Sequence, residues 1–112
     1  MAGIDPGVAE KARAALEVLS QITEVDCAYL FGSQVEGRAD EWSDIDLAVF
    51  IEDLDSWSLR DRVVATVEVQ KEVGDDVEVH FLPSSDARQP TPASFATWIL
   101  AHGVELRKAR AG

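Results

Sequence analysis

Residues 27–51 read Cys-Ala-Tyr-Leu-Phe-Gly-Ser-Gln-Val-Glu-Gly-Arg-Ala-Asp-Glu-Trp-Ser-Asp-Ile-Asp-Leu-Ala-Val-Phe-Ile, and this stretch decides the fold. The apolar run from Cys27 to Phe31 breaks at Gly32, the pattern of a buried strand that ends in a turn. Ile45 to Ile51, rich in β-branched and aromatic residues, reads as a second strand. Side chains alternate across a strand, so Asp44 and Asp46 share one face while Ile45 and Leu47 take the other. Two carboxylates side by side repel each other, and aspartate is a poor strand former. Such a pair either opens a strand where water solvates it, or it holds a divalent cation. Mg²⁺ takes carboxylate oxygens and keeps positions for water and substrate phosphate. Glycine at 32 lets the backbone turn sharply and come close to a ligand. The amides opening a following helical turn, with the Ser33 hydroxyl, can then face phosphate, although a Gly-Ser turn alone is most often only a turn.

Working outward, Asp5-Pro6 is an N-cap signature, and Val8, Ala12, Ala15, Leu16, Leu19 and Ile22 recur at helical spacing over Pro6 to Ile22. Beyond the polar break from Glu52 to Ser58, Leu59 to Val73 forms a second helix that stops at Gly74. Val77 to Leu82 alternates and ends at Pro83, giving a third strand. Glu78 faces opposite to Val77 and Val79 and supplies a third acid; Asp76 has the same parity and is the alternative. Three acids on neighbouring strands beside a Gly-Ser turn point to a two-metal phosphoryl-transfer site. Ser84 to Pro90 reads as a loop. Thr91-Pro92 caps a last helix ending at Gly103, with Phe95, Trp98, Ile99 and His102 on one face. The expected fold is α/β, one domain over residues 1–112, with a small mixed sheet packed against helices.

Composition narrows the function classes. A chain of 112 residues with 46% hydrophobic content can bury a core without staples. Cys27 is the one cysteine, so an internal disulfide is excluded. Met1 to Asp5 lacks the basic segment and apolar run of a signal peptide. No stretch approaches the roughly 20 apolar residues of a membrane span. These features lead us to expect a soluble cytoplasmic protein. The net charge of −11 spreads ten basic residues among twenty-one acidic ones, which argues against direct nucleic-acid binding. It serves solubility first and docking on a basic partner second.

The spacing of Gly32-Ser33, ten residues, then Asp44-x-Asp46 resembles the signature of the DNA polymerase beta-type nucleotidyltransferase superfamily. Within it, Phe31 to Leu47, with Gly37 and Ser43, resembles the minimal nucleotidyltransferases, and the likeness runs to His102-Gly103-Val104-Glu105-Leu106. The resemblance implies a polymerase beta-like fold and two Mg²⁺ ions on Asp44, Asp46 and a third acid. It implies a triphosphate tail, from ATP or another NTP, on Gly32 and Ser33, with Arg38 and Ser43 beside the nucleotide. It further implies transfer of a nucleoside monophosphate, AMP above all, to an acceptor hydroxyl. Minimal nucleotidyltransferases are commonly paired with helical HEPN-family proteins, so the resemblance also implies a HEPN-type partner and the antitoxin half of a toxin–antitoxin pair. In that family the third acid is usually aspartate, where this chain has Glu78, and arginines often follow the Gly-Ser turn, where it has Gln34, Val35 and Glu36. The rival expectation is a module that keeps the fold, has weak or no activity, and covers a partner protein.

His80 shares the Glu78 face and reads first as a structural neighbour. His102 reads as core or helix-terminal packing. Trp42 and Trp57 are partner-surface or core-edge aromatics, and Cys27 is a buried strand residue.

Overall fold

The computed structural model describes residues 4–40 and 43–107. Helix α1 spans Pro6–Ile22, where Pro6 opens the first turn and the Asp5 carboxylate accepts from the Gly7 and Val8 amides. Its apolar stripe buries Ala12, Ala15, Leu16 and Leu19. Strand β1 (Val25–Phe31) follows, then a single helical turn, α2 (Ser33–Glu36), closed by Gly37 in the left-handed conformation. Strand β2 covers Ile45–Ile51, and a 3₁₀ turn at Leu54–Ser56 leads to helix α3, Leu59–Val73. A reciprocal capping box fixes the start of α3, with Ser58 accepting from the Asp61 amide and Asp61 accepting from the Ser58 amide. Strand β3 (Val77–Pro83), short helix α4 (Ser84–Arg88), helix α5 (Phe95–His102) and strand β4 (Val104–Arg107) complete the described chain.

The four strands lie in the order β3-β2-β1-β4. β1 runs antiparallel to β2 and β4, whereas β2 and β3 run parallel, so the sheet is mixed, as expected. A parallel pair needs a crossover connection, and α3 supplies it. Odd-numbered β2 residues (Ile45, Leu47, Val49, Ile51) form a core with Leu16 and Leu19 of α1 and Val69 of α3. On the opposite face Ala48, Phe50, Cys27 and Leu82 pack with Ala96 and Ile99 of α5. The molecule is therefore a sheet between two helical layers.

Three expectations change. Ser84–Arg88 is a short helix and not a loop; Arg88 anchors it, 3.3 Å from both Asp26 and Glu52, a tertiary contact that local composition does not reveal. The last helix is capped by Ser94, which accepts from the Thr97 amide, and not by Thr91-Pro92. Ala93, at φ 63°, interrupts any helix begun earlier. β4 pairs with β1 at its far edge; four residues are too few to betray a strand by period. Trp57 is half-buried against Phe81 at the core edge, with ring centroids 5.3 Å apart. His102 is exposed and packs at the helix end, stacked on Trp98 with Nδ1 3.0 Å from the Trp98 carbonyl. Trp42 lies outside the described residues.

Cys27 is buried in β1, and burial, with the nearby Asp26 and Glu105 charges, pushes its thiol up to about 11. The thiolate is the reactive form. Iodoacetamide at pH 8 is therefore expected to leave the native thiol largely unlabelled over minutes and to label it quickly in denaturant, as followed by intact mass.

Candidate active site

The parallel register of β2 on β3 sets Asp46 opposite Glu78 and Ala48 opposite His80. Residues opposite one another in a ladder share a face, so both carboxylates and the imidazole project from the α5 side of the sheet. His80 Nε2 is 3.8 Å from Asp46 Oδ1 and 3.8 Å from Glu78 Oε1, too far for a hydrogen bond. One ligand atom from each of Asp46, Glu78 and His80 falls within 4.8 Å of the others. Asp46 is the most enclosed, with 23% of its side chain exposed against 59% for Glu78. Burial raises the Asp46 carboxyl above the ordinary aspartate range; the Glu78 and Asp44 charges add to this, and His80 opposes it.

Gly32 makes room for this arrangement. It ends β1 at φ 82°, ψ −153°, a combination open essentially to glycine alone. A Cβ built there would stand 2.6 Å from Asp46 Oδ2. Phe31, paired with Asp46 across β1 and β2, lays its ring edge-on against His80 at 5.2 Å and against Phe95 at 5.5 Å. Ser33 opens α2, and Gly32 caps that turn without a side chain, leaving the first amides of the turn free of any side-chain acceptor. Gln34 Nε2 reaches to 3.5 Å from the Ser43 carbonyl and 3.4 Å from the Asp44 carbonyl, which ties α2 to the entry of β2.

The other sequence-derived candidates are placed less closely. Asp44 precedes the first ladder residue of β2 and is exposed; its charge reaches Asp46, but it lies outside the 4.8 Å group. Arg38 is exposed and pairs with Glu36 at 2.6 Å. The Ser43 hydroxyl donates to Asp40 at 3.1 Å and accepts from the Asp40 amide. Asp76 turns away to Lys11 of α1, 2.6 Å distant, while its carbonyl accepts from the Ile45 amide. Sequence reasoning gave His80 a structural part, yet its ring stands between the two acids. The signal was its even parity with Glu78 combined with a small residue opposite, which requires the register.

A mixed sheet that ends one strand on a glycine-serine turn and sets paired acids on the next two is the arrangement of a nucleotidyltransferase. The chain belongs to the polymerase beta nucleotidyltransferase family, whose model matches residues 14–106. Its fold is similar to that of a candidate nucleotidyltransferase from Sulfolobus solfataricus, at TM-score 0.54 and 20% identity over 80% of this chain and 85% of that one. It is also similar to a toxin–antitoxin structure solved with AMP-PNP, at TM-score 0.61 and 23% identity over 91% of this chain and 74% of that one. No curated protein matches the chain in sequence.

Two outcomes test this geometry. Gly32→Ala combines a forbidden backbone with a steric clash, and is expected to cost on the order of 1–3 kcal/mol in urea unfolding. Wild-type stability would show that the Asp46 carboxylate is not held against this turn. Asp46→Asn removes a charge that the folded state disfavours. A raised folded value means that Asp46 contributes stability at pH below the ordinary value of 3.8 and loses it as pH climbs through the raised value. At pH 7 the variant is expected to match the parent or exceed it by on the order of 1 kcal/mol. The gap should close as the pH falls below 3.8; a loss of several kcal/mol at pH 7 would instead make Asp46 a structural, hydrogen-bonded residue.

Proposed function

We propose that residues 1–112 form one catalytic domain that transfers a nucleoside monophosphate, AMP in the first instance, from an NTP to an acceptor hydroxyl. The observation carrying this reading is the in-register pair Asp46–Glu78 beside the Gly32 turn. Family members typically use an NTP and a divalent metal. The donor set fits one: two carboxylates within reach of each other, with Asp46 shifted toward its neutral form by burial and by like charge. Asp44, Asp46 and Glu78 would hold two Mg²⁺ ions, which when bound neutralise phosphate charge and lower the pKa of a coordinated hydroxyl.

The remaining roles fall to the chain. Gly32 and Ser33 grip the β- and γ-phosphates through the amides that open α2. Ser43 lies beside the nucleotide, and Arg38, the one basic residue between Phe31 and Ile51, exchanges Glu36 for phosphate. In the reaction the acceptor oxygen bonds to the α-phosphorus as the bond to the bridging β-phosphate oxygen breaks. Pyrophosphate leaves with the electron pair, and the acceptor proton passes to solvent. Phe31 and Phe95 pack their rings against His80 beside the acids.

Similarity in fold to a toxin–antitoxin structure supports a protein partner. We assign the acceptor to a helical HEPN-type protein, with this chain as the antitoxin. Among the described residues no helix is long and apolar enough to cross a membrane, in keeping with a cytoplasmic setting. A second reading, an inactive module that covers its partner, draws on the Arg38–Glu36 pair, which occupies the one cation of the loop.

Radiolabelled ATP with Mg²⁺ and the helical protein encoded beside this one should label that protein, as read by intact mass. Glu78→Gln should reduce the transfer by about a hundredfold or more, and Asp76→Asn should leave it near the parent's rate. The reverse ranking would move the third acid to Asp76. Mg²⁺-dependent nucleotide binding with no transfer to any acceptor would establish the inactive module.

A further inference from the structure

A groove of about 650 Å³ runs along β3. It is lined by Val79 to Pro83, by Arg62, Val63 and Val67 of α3, and by Asp86 and Phe95, and His80 joins it to the acids. Val63 and Val67 are 53% and 44% exposed, so an amphipathic helix leaves apolar surface uncovered where it borders the groove.

β3 is an edge strand among the described residues. The Ile45 amide donates to the Asp76 carbonyl, while the Val77 amide turns away to the Gly74 carbonyl. Backbone groups of successive residues alternate between the two sides of a strand. Val79 and Phe81 therefore turn their amides and carbonyls to the open edge, into the groove. An edge with unpaired backbone groups, flanked by apolar walls, is a template for an added strand.

Reaction geometry locates the groove relative to the chemistry. Attacking and leaving oxygens lie in line across the transferred phosphorus. With the triphosphate tail on Gly32-Ser33 at the end of β1, the acceptor approaches from the opposite side of the acids. The strand order β3-β2-β1 puts the β3 edge on that side, and the groove shares His80 with the acid cluster. We propose that this groove is the acceptor subsite, and that it takes an extended, cationic polypeptide segment. The segment pairs with Val79 and Phe81 and carries its hydroxyl-bearing residue to Glu78. The strand edge selects extended polypeptide over a small molecule; Asp86 on the lining offsets Arg62, so the balance is set by Asp46 and Glu78 beside His80 and by the net charge of −11, which together select a cationic segment. The inference rests on Gly32-Ser33 as the grip on the leaving group.

The test is selection of random ten-residue peptides, each with a central Tyr, Ser or Thr, on the immobilised full chain with Mg²⁺ and AMP-PNP. Selected peptides are expected to be basic with apolar alternate positions, and to slow hydrogen exchange at the Val79 and Phe81 amides. Val63→Lys and, separately, Val67→Lys remove the apolar wall and add a like charge, and should weaken their binding at least tenfold while leaving the Mg-AMP-PNP thermal shift unchanged. Peptides that bind without protecting those amides, binding unaffected by both variants, or no selected peptide at all would overturn the acceptor groove. Absence of the thermal shift in the parent would overturn the nucleotide site instead, while the peptide result still decides whether the groove binds extended chains.

Discussion

Like-charge contact between Asp46 and Glu78 is the constraint on which the rest of the site depends. Parallel pairing of β2 with β3 forces the two carboxylates onto one rung. The structure spreads the cost in three ways. Glu78 keeps more than half of its side chain in water, the His80 ring nitrogen stands 3.8 Å from each acid, and Gly32 gives Asp46 a space that no other residue type would leave. Burial first, and the Glu78 charge after it, still raise the Asp46 carboxyl above the ordinary aspartate range. The divalent cation proposed above would offset that repulsion.

Much of this was legible from residues alone, and the reason is periodicity. Cys27 to Phe31 and Ile45 to Ile51 are apolar runs that end on glycine or begin on acid, and both are strands. The alternation of Val77, Glu78 and Val79 put Glu78 on the solvent side before any register was known, and the ladder set it against Asp46. What periodicity cannot report is which strands meet. Asp44 looked equal to Asp46, but it lies one residue before the ladder and so escapes the packing that fixes its neighbour. Asp76 looked like a rival to Glu78 until Lys11, sixty-five positions away, claimed it. α4 forms around an Arg88 contact to Asp26 that no window of local sequence contains.

The two helices on the far face divide their labour unequally. α1 buries a full stripe of four residues, whereas α3 buries Ala65 and Val69 and leaves Leu59, Val63, Val64 and Val67 to solvent. The sheet needs α3 chiefly as the crossover that makes β2 and β3 parallel, which asks for length and a capped start more than for a wide apolar face. Its surplus apolar surface is thus free to serve another purpose, and it borders the groove that leads to the acids.

The crossover also dictates when, in the life of the chain, the site can exist. β1 and β2 are near neighbours in sequence and their antiparallel pairing closes a short loop, whereas Glu78 reaches Asp46 only after the whole of α3 has been laid back along the sheet. Contacts of long sequence separation require costly loop closure. The acids are therefore brought together by a less local pairing than the one that joins β1 to β2. A chain caught halfway, or one emerging during synthesis with β3 still unmade, presents Asp46 alone and has no paired acids to offer. The paired acids thus report that the crossover through α3 has closed, a step that pairing of β1 with β2 alone does not require.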